Sequence, residues 1–98
     1  MLKIQQLTPA ASTLTAFSAV PTNKQWLWDI NVCNRSSVAV TISIAVTLNG
    51  TTTYYNHDST LPAGASYERT GRKLPAGGVI SVRASAANVD FTLEYVEE

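Results

Sequence analysis

The sequence carries little charge, a single cysteine and a single histidine. Seven Lys and Arg balance seven Asp and Glu, and charged residues make up only 14% of the chain. Nucleic-acid binding needs a clustered excess of basic side chains, so a formal net charge of +0 argues against that partner. The single cysteine, Cys33, excludes an internal disulfide and a thiolate cage. With one histidine and no dense Asp/Asn loop, we expect neither a metal nor a cofactor.

Long apolar runs are absent as well. The first residues, MLKIQQLTPAAS, lack the apolar core of a signal peptide, and no segment approaches the ~18 apolar residues of a membrane span. We therefore expect no membrane partner and folding in the cytoplasm. A chain of 98 residues with 45% hydrophobic content builds one domain around one thin core.

Apolar residues instead recur at every second position. The clearest example is VAVTISIAVTLN, residues 38–49, which ends in the dipeptide Asn49-Gly50. Alternation with β-branched residues is typical of a half-buried strand, and Asn-Gly favours a type I′ hairpin turn. The same alternation runs through residues 26–33, 80–85 and 89–95, with weaker strand signals at 2–8, 12–20 and 65–71.

These segments predict an all-β fold of about eight short strands. No helical periodicity persists over three turns, and turn signals recur about every ten residues, which favours an antiparallel β-sandwich, for which a jelly roll is one arrangement. Residues 12–98 form this domain. The sequence leaves open whether residues 1–11 are an N-terminal arm or an edge strand.

The tetrapeptide LPAG occurs twice, at residues 61–64 and 74–77. Proline presets φ at the second position of a turn, and Gly64 and Gly77 suit an adjoining residue with positive φ. The leucine before each proline is expected at the edge of the core. We interpret both copies as corners that precede strands, with VPTN at residues 20–23 as a third, and not as a binding motif.

No catalytic arrangement stands out. His57 is the only histidine, and it is followed directly by Asp58 and Ser59. Consecutive residues in a strand or turn point apart, so this run is poor geometry for a catalytic triad. The carboxylates are scattered along the chain, and we predict a protein without enzymatic activity.

The aromatic residues are the main candidates for contact with a partner. Trp26 and Trp28 share one strand face, and the simpler interpretation puts them in the core or at its rim. A sugar-stacking platform on Trp26, Tyr54 or Tyr67 is the alternative. Because Leu27 is apolar too, this strand is expected to be covered on both sides, the second cover being a neighbouring subunit. The candidate interface residues are Leu2, Ile4, Leu7, Trp26, Trp28, Tyr54, Tyr55, Tyr67, Arg69 and Arg72.

Three stretches resemble a group of small β-sandwich virion proteins of tailed bacteriophages. They are VPTNKQWLWDINVCNRSSVAVTISIAV, YYNHDSTLPAGAS and LPAGGVISVRASAANVDFTL, and they span about residues 19–96. In that group a proline corner leads into a strand that ends in a V-C-N-R/T-S-like turn. The end reads L-x-A-G-D/G-x-I/V-x-V-x-A-S-x-x-N-V-x-F, and here Gly78 stands in place of the usual aspartate.

The resemblance implies a structural role in the virion, after folding in the host cytoplasm. The first hypothesis is a capsid decoration or cement protein that stabilises the head by bridging capsid subunits. Its partners would be the major capsid protein or other virion proteins, and such proteins often sit at threefold sites, which favours a homo-oligomer such as a trimer. A tail, collar or fibre component is the second hypothesis. A small carbohydrate-binding module is the third, from a different class.

Overall fold

The computed structural model describes residues 2–71 and 73–98, and the regular elements in this part of the chain are all β-strands. They are β1 (Leu2–Leu7), β2 (Thr15–Ala16), β3 (Gln25–Asn34), β4 (Val40–Leu48), β5 (Thr51–Leu61), β6 (Ser66–Thr70), β7 (Leu74–Pro75), β8 (Val79–Ala84) and β9 (Val89–Glu97). The predicted all-β fold is confirmed. Residues 2–7 pair with β9 along their whole length, so this segment is an edge strand of a sheet.

The strands form two antiparallel sheets that pack face to face. Sheet A has the order β1-β9-β3-β6, with β7 paired to the other end of β3, and sheet B has the order β2-β8-β4-β5. If the two-residue β7 is left out and the remaining strands are numbered 1 to 8 along the chain, the two sheet orders become 1-8-3-6 and 2-7-4-5. That is the strand order of a jelly roll, so the chain adopts this form of the predicted sandwich.

The core lies between the sheets and is filled by the alternating apolar residues. Strand β3 buries every second side chain from Trp26 to Asn34, and β9 does the same from Val89 to Tyr95. Opposite them, β4 and β8 supply branched aliphatic residues such as Ile44, which has no exposed surface. Burial of these apolar surfaces at roughly 25 cal/mol per Å² is the main force that holds the two sheets together.

The turns contain the predicted residue types, but proline lies at a different turn position from the one predicted. Asn49 and Gly50 have φ of 53° and 79°, as a type I′ turn requires. At the corners, Ala65 N donates to Pro62 O and Gly78 N donates to Pro75 O, both at 3.1 Å. Proline is therefore the first residue of each turn and not the second.

The third residue of each corner explains why glycine is used. Gly64 and Gly77 have φ of 70° and 84°, and a type II turn needs positive φ at this position. Asn23 has φ of 64° at the same position of the VPTN corner, where Lys24 N donates to Pro21 O. The interpretation of all three units as corners is confirmed, and asparagine replaces glycine because it tolerates this conformation.

A buried asparagine joins two loops, β3–β4 and β5–β6, at one end of the sandwich. Asn34 has no exposed surface, and its Nδ2 donates to the carbonyls of Val38, Leu61 and Pro62 at 2.9, 3.2 and 3.1 Å. Its Oδ1 accepts hydrogen bonds from the backbone N and the Oγ of Ser36 at 3.0 and 2.6 Å. The side chain thereby ties the two loops together through their backbone groups, and the carbonyls of Val38 and Pro62 also accept hydrogen bonds from Ser36 Oγ and Ala65 N.

Candidate functional site

The outer face of sheet A carries an exposed apolar cluster. Leu2 pairs with Val96, and Val96 pairs with Leu27 on its other side, so one apolar row crosses β1, β9 and β3. Ile4 lies beside this row on β1. The exposed fractions are 57% for Leu2, 56% for Ile4, 40% for Leu27 and 36% for Val96. We call these four residues the apolar patch.

A shallow depression of about 250 Å³ adjoins the apolar patch. Leu2, Leu27 and Val96 line one side of it, and Trp28 and Gly71 contribute to the rest of its wall. Gly71 N donates to Trp28 O at 2.8 Å, which holds the segment after β6 against β3. The depression therefore extends the apolar patch toward the edge of the sheet.

Three carboxylates lie next to the apolar patch on the same face. Asp29 pairs with Glu94 in the register of β3 and β9, and Glu68 on β6 pairs with Asn31, two positions along β3 from Asp29. In the part of the chain that the structure describes, none of the three carboxylates forms a salt bridge. We call Asp29, Glu68 and Glu94 the acidic group, because together they give this face a negative charge.

An ion pair closes the far end of the same face. The Arg35 guanidinium donates to both carboxylate oxygens of Asp90, and the Thr8 hydroxyl donates to Asp90 Oδ1 at 2.6 Å. The hydrogen bond from Arg35, followed by that from Thr8, lowers the pKa of Asp90. At the other end of β9, hydrogen bonds from the Trp26 indole and from Lys3 lower the pKa of Glu97.

This ion pair predicts a pH dependence of stability. Asp90 has a lower pKa when folded than the ~3.9 of an unfolded aspartate, so its stabilising contribution is complete above that value and is lost as the pH falls through the folded pKa. We expect the free energy of unfolding of wild type to fall more steeply below about pH 4 than that of Asp90→Asn. Urea denaturation at several acidic pH values measures both slopes, and equal slopes would contradict the prediction.

The structure separates the predicted interface residues into different environments. Leu2 and Ile4 lie on the outer face of sheet A, whereas Leu7 is half-buried and packs against the core. Trp26 and Trp28 are 2% and 3% exposed. Their inclusion as interface candidates was wrong, because these positions of β3 face the core; the simpler interpretation of them as core residues is confirmed.

Three further candidates come together between the two sheets. Tyr55 stacks on Trp28 with ring centroids 5.7 Å apart, and the Arg69 guanidinium lies 5.0 Å from the centre of the Tyr55 ring. Tyr67 OH accepts hydrogen bonds from Arg69 Nη1 at 3.4 Å and from Asn56 Nδ2 at 3.2 Å, and these two bonds lower the pKa of Tyr67. This half-buried stack links β5 to β6 and presents little surface. Arg72 lies outside the described residues.

Tyr54 lies apart from the other aromatic residues, on the outer face of sheet B. It pairs with Ala45 of β4 and packs edge-to-face against His57, with ring centroids 4.9 Å apart. His57 Nε2 lies 3.8 Å from Asp58 Oδ2, and Arg83 Nη1 lies 3.7 Å from Asp58 Oδ1. Neither His57 nor Arg83 had been singled out as a binding residue in the sequence, because their proximity depends on the pairing of β4 with both β5 and β8.

The same cluster contains a buried serine that is not paired with the histidine. Ser43 Oγ accepts a hydrogen bond from Asp58 N at 3.0 Å and donates to Asp58 Oδ1 at 3.4 Å. Ser59 Oγ accepts a hydrogen bond from Asn56.

Within residues 2–71 and 73–98, no group of three or more His, Cys, Asp and Glu side chains is arranged to hold a metal ion. The same residues contain no helix that could cross a membrane.

Comparisons with known proteins give weak structural similarity and no family. No protein-family model matches the chain, and no curated protein matches it. A similar solved structure is a de novo designed double-stranded beta-helix determined by solution NMR, with 15% sequence identity and a TM-score of 0.39. The match covers 98% of this chain and 99% of the designed protein.

Proposed function

We propose that the chain is a non-enzymatic structural protein of a tailed-phage virion, and specifically a capsid decoration protein that binds the shell through the outer face of sheet A. The observation that carries the proposal is the apolar patch. Four contiguous large apolar side chains on the surface of a small β protein are typical of a protein–protein interaction site. The sequence resemblance to phage virion proteins indicates the class of partner.

The strand order supports the proposal by analogy. Jelly rolls are common among viral capsid and lectin domains, and closing a sheet against a second sheet leaves two broad outer faces for binding. The fold alone hosts many functions, so it raises the expectation of a virion role without assigning one. The choice of docking face therefore rests on the exposed apolar and charged side chains.

The acidic group suggests what the docking partner looks like. Asp29, Glu68 and Glu94 beside the apolar patch fit a capsid surface that presents apolar side chains flanked by Lys or Arg. Such a contact weakens with ionic strength, because the charges at its rim remain partly hydrated. Two copies meeting face to face would bring like charges together, so subunits of a homotrimer are expected to meet through other surfaces.

Substitution of the apolar patch tests the proposal. Leu27→Thr and Ile4→Thr remove apolar surface but retain residues that suit a strand, so we expect the fold to persist. If these residues are central to the interface, each change weakens binding to purified expanded capsids that lack the protein by about 30-fold, the equivalent of ~2 kcal/mol. Cosedimentation at several protein concentrations gives the affinities.

Leu14→Thr is the matched control, since Leu14 is also exposed but lies outside the apolar patch. Equal binding of wild type, Leu27→Thr and Ile4→Thr would overturn the proposed docking face. Deletion of residues 1–10 is a poorer test, because it removes β1 and uncovers the edge of β9. Localisation in a virion reconstruction distinguishes decoration of the head from a tail, collar or fibre position.

A further inference from the structure

We infer that the outer face of sheet B holds a second binding site, formed by Tyr54, His57, Asp58 and Arg83, for a neutral saccharide. The site is independent of the proposed docking face, because it lies on the opposite side of the sandwich. A protein docked through sheet A would keep this face directed away from its partner. The ligand class follows from the local backbone, from the exposed ring and from the polar groups beside it.

The backbone of β5 departs from regular pairing at this site. Between the pairs Ile42–Ser59 and Ile44–Asn56, β4 advances two residues while β5 advances three. The additional residue forms a β-bulge, in which Asp58 has φ of 50°. In a regular strand His57 and Asp58 would point to opposite faces, whereas here His57 contacts Tyr54 and Asp58 contacts Arg83, on one face. Bulges of this kind often redirect side chains at functional sites.

A buried side chain maintains this bulge. Ser43 is almost fully buried, and its Oγ receives the hydrogen bond of Asp58 N that the disrupted strand pairing leaves without a partner. The same oxygen donates to the Asp58 carboxylate. The position of Asp58 is therefore set within the protein before any ligand binds, which lowers the entropy cost of binding.

The exposed ring supplies an apolar surface for a sugar. Tyr54 is 46% exposed, and the edge-to-face contact with His57 restrains its ring. A pyranose has one face lined by C–H groups, and such a face packs on the electron-rich face of an aromatic ring. Since Tyr54 lies on a broad outer face and not in a deep cavity, we expect weak binding in the millimolar range.

The polar groups beside the ring suit neighbouring hydroxyls. Asp58 offers acceptor oxygens, and Arg83 and His57 offer donor groups. The separations of 3.7 and 3.8 Å from Asp58 are longer than hydrogen bonds, so these groups keep capacity for a ligand. An anion would be repelled by Asp58, and a metal cation by the Arg83 guanidinium. A neutral polyol with one apolar face satisfies the ring, the acceptor and the donors together.

An NMR titration of the ¹⁵N-labelled full chain tests the inference. The probes are the methyl pyranosides of glucose, galactose, mannose and N-acetylglucosamine, each up to about 50 mM, a range suited to millimolar affinity. We expect saturable shift changes around Tyr54 for at least one of them. Tyr54→Ala should weaken binding at least about tenfold, whereas Tyr54→Phe keeps the stacking surface and most of the affinity.

Two further variants separate contact from positioning. Asp58→Asn tolerates the same backbone conformation but loses the carboxylate, so it should weaken binding directly. Ser43→Ala should weaken binding together with a change in the amide shift of residue 58, because it acts through the bulge. Leu27→Thr, the docking-face variant, should bind the sugar as wild type does, so the two proposals fail separately.

Three outcomes would overturn the inference. One is the absence of saturable shifts with every pyranoside. A second is unchanged binding in Tyr54→Ala. The third is saturable binding of inorganic phosphate or adenosine monophosphate at this face without binding of any pyranoside, which would assign the face to a charged ligand.

Discussion

Asn34→Ala is expected to lower the free energy of unfolding by about 3 kcal/mol, because it removes all the hydrogen bonds of a fully buried polar side chain at once. The carbonyls of Val38, Leu61 and Pro62 lose their common donor, and the amide of Ser36 loses its acceptor. A domain of this size has a total stability of roughly 5 to 15 kcal/mol, so the loss is a large share of it. Urea denaturation followed by tryptophan fluorescence measures the change.

Asn31→Ala is the matched control, since Asn31 lies on the same strand but on the outer face of sheet A. We expect this control to change stability by less than about 1 kcal/mol, as is usual for surface substitutions. Equal losses for the two variants would contradict the role assigned to Asn34.

Asn34→Asp adds a dependence on pH. The introduced carboxyl would face three carbonyl oxygens in a buried site, and this raises its pKa in the folded state above the ~3.9 of the unfolded chain. A folded pKa above the unfolded one means that stability falls as the pH rises between the two values. We expect Asn34→Asp to be more stable at pH 4 than at pH 7. The opposite trend would contradict the buried environment of this side chain.

Gly71→Ala is expected to destabilise the fold by about 3 kcal/mol, because the new methyl group would overlap the indole ring of Trp28. Trp28 is buried and stacked on Tyr55, so it cannot move aside without disturbing the core. Gly71 cannot easily retreat either, since its N–H is bonded to Trp28 O. We expect a lower urea midpoint together with a shift in the fluorescence spectrum of the folded state.

Gly64→Ala provides the comparison that isolates the steric effect. Gly64 has φ of 70° and open space where a side chain would begin, so the cost is the conformational one, about 1 kcal/mol. Gly71→Ala should exceed it by a factor of two or more and should be the only one of the two that alters the fluorescence of the folded protein. A Gly64→Ala variant that is the less stable of the two would contradict this assignment.

Much of the fold could be predicted because local patterns and tertiary packing agree. The alternation that ends at Asn49-Gly50 specifies a strand, a buried face and a hairpin turn at once. The LPAG segments were correctly predicted to be turns, but proline was placed at the second turn position and is in fact at the first. A Pro-x-Gly sequence is compatible with proline at either of these positions. Only the hydrogen bonds from Ala65 and Gly78 distinguish the two.

The candidate sites were harder to predict because they depend on strand pairing. The sequence identified Leu2, Ile4 and Leu27 as apolar residues of interest. Their proximity, however, requires β9 to lie between β1 and β3. Val96 was missed because it lies among the acidic residues at the end of β9. The β-bulge contains Asp58 and no glycine at the position with positive φ, so the sequence did not indicate a bulge there. The grouping of Tyr54 with Arg83 was therefore not predicted.

The buried Asn34 shows a different limit of sequence patterns. An asparagine after Cys33 is typical of a turn, and its alternation with Val32 and Ile30 places it formally on the core face of β3. The pattern does not indicate that the side chain is satisfied by carbonyls almost thirty residues away at Leu61 and Pro62. Such a role is visible only when the loops are assembled.

The position of β9 between β1 and β3 also has a consequence for biosynthesis. Sheet A lacks its central connection until residues 89–97 are available, so an emerging nascent chain cannot complete it while that segment is still inside the ribosomal tunnel. Until then the edges of β3 and β1 that pair with β9 remain without their partner strand and are open to association with other nascent chains. We expect productive folding to begin only after this segment has left the ribosomal tunnel, and premature termination before Val89 to yield a chain recognised by chaperones.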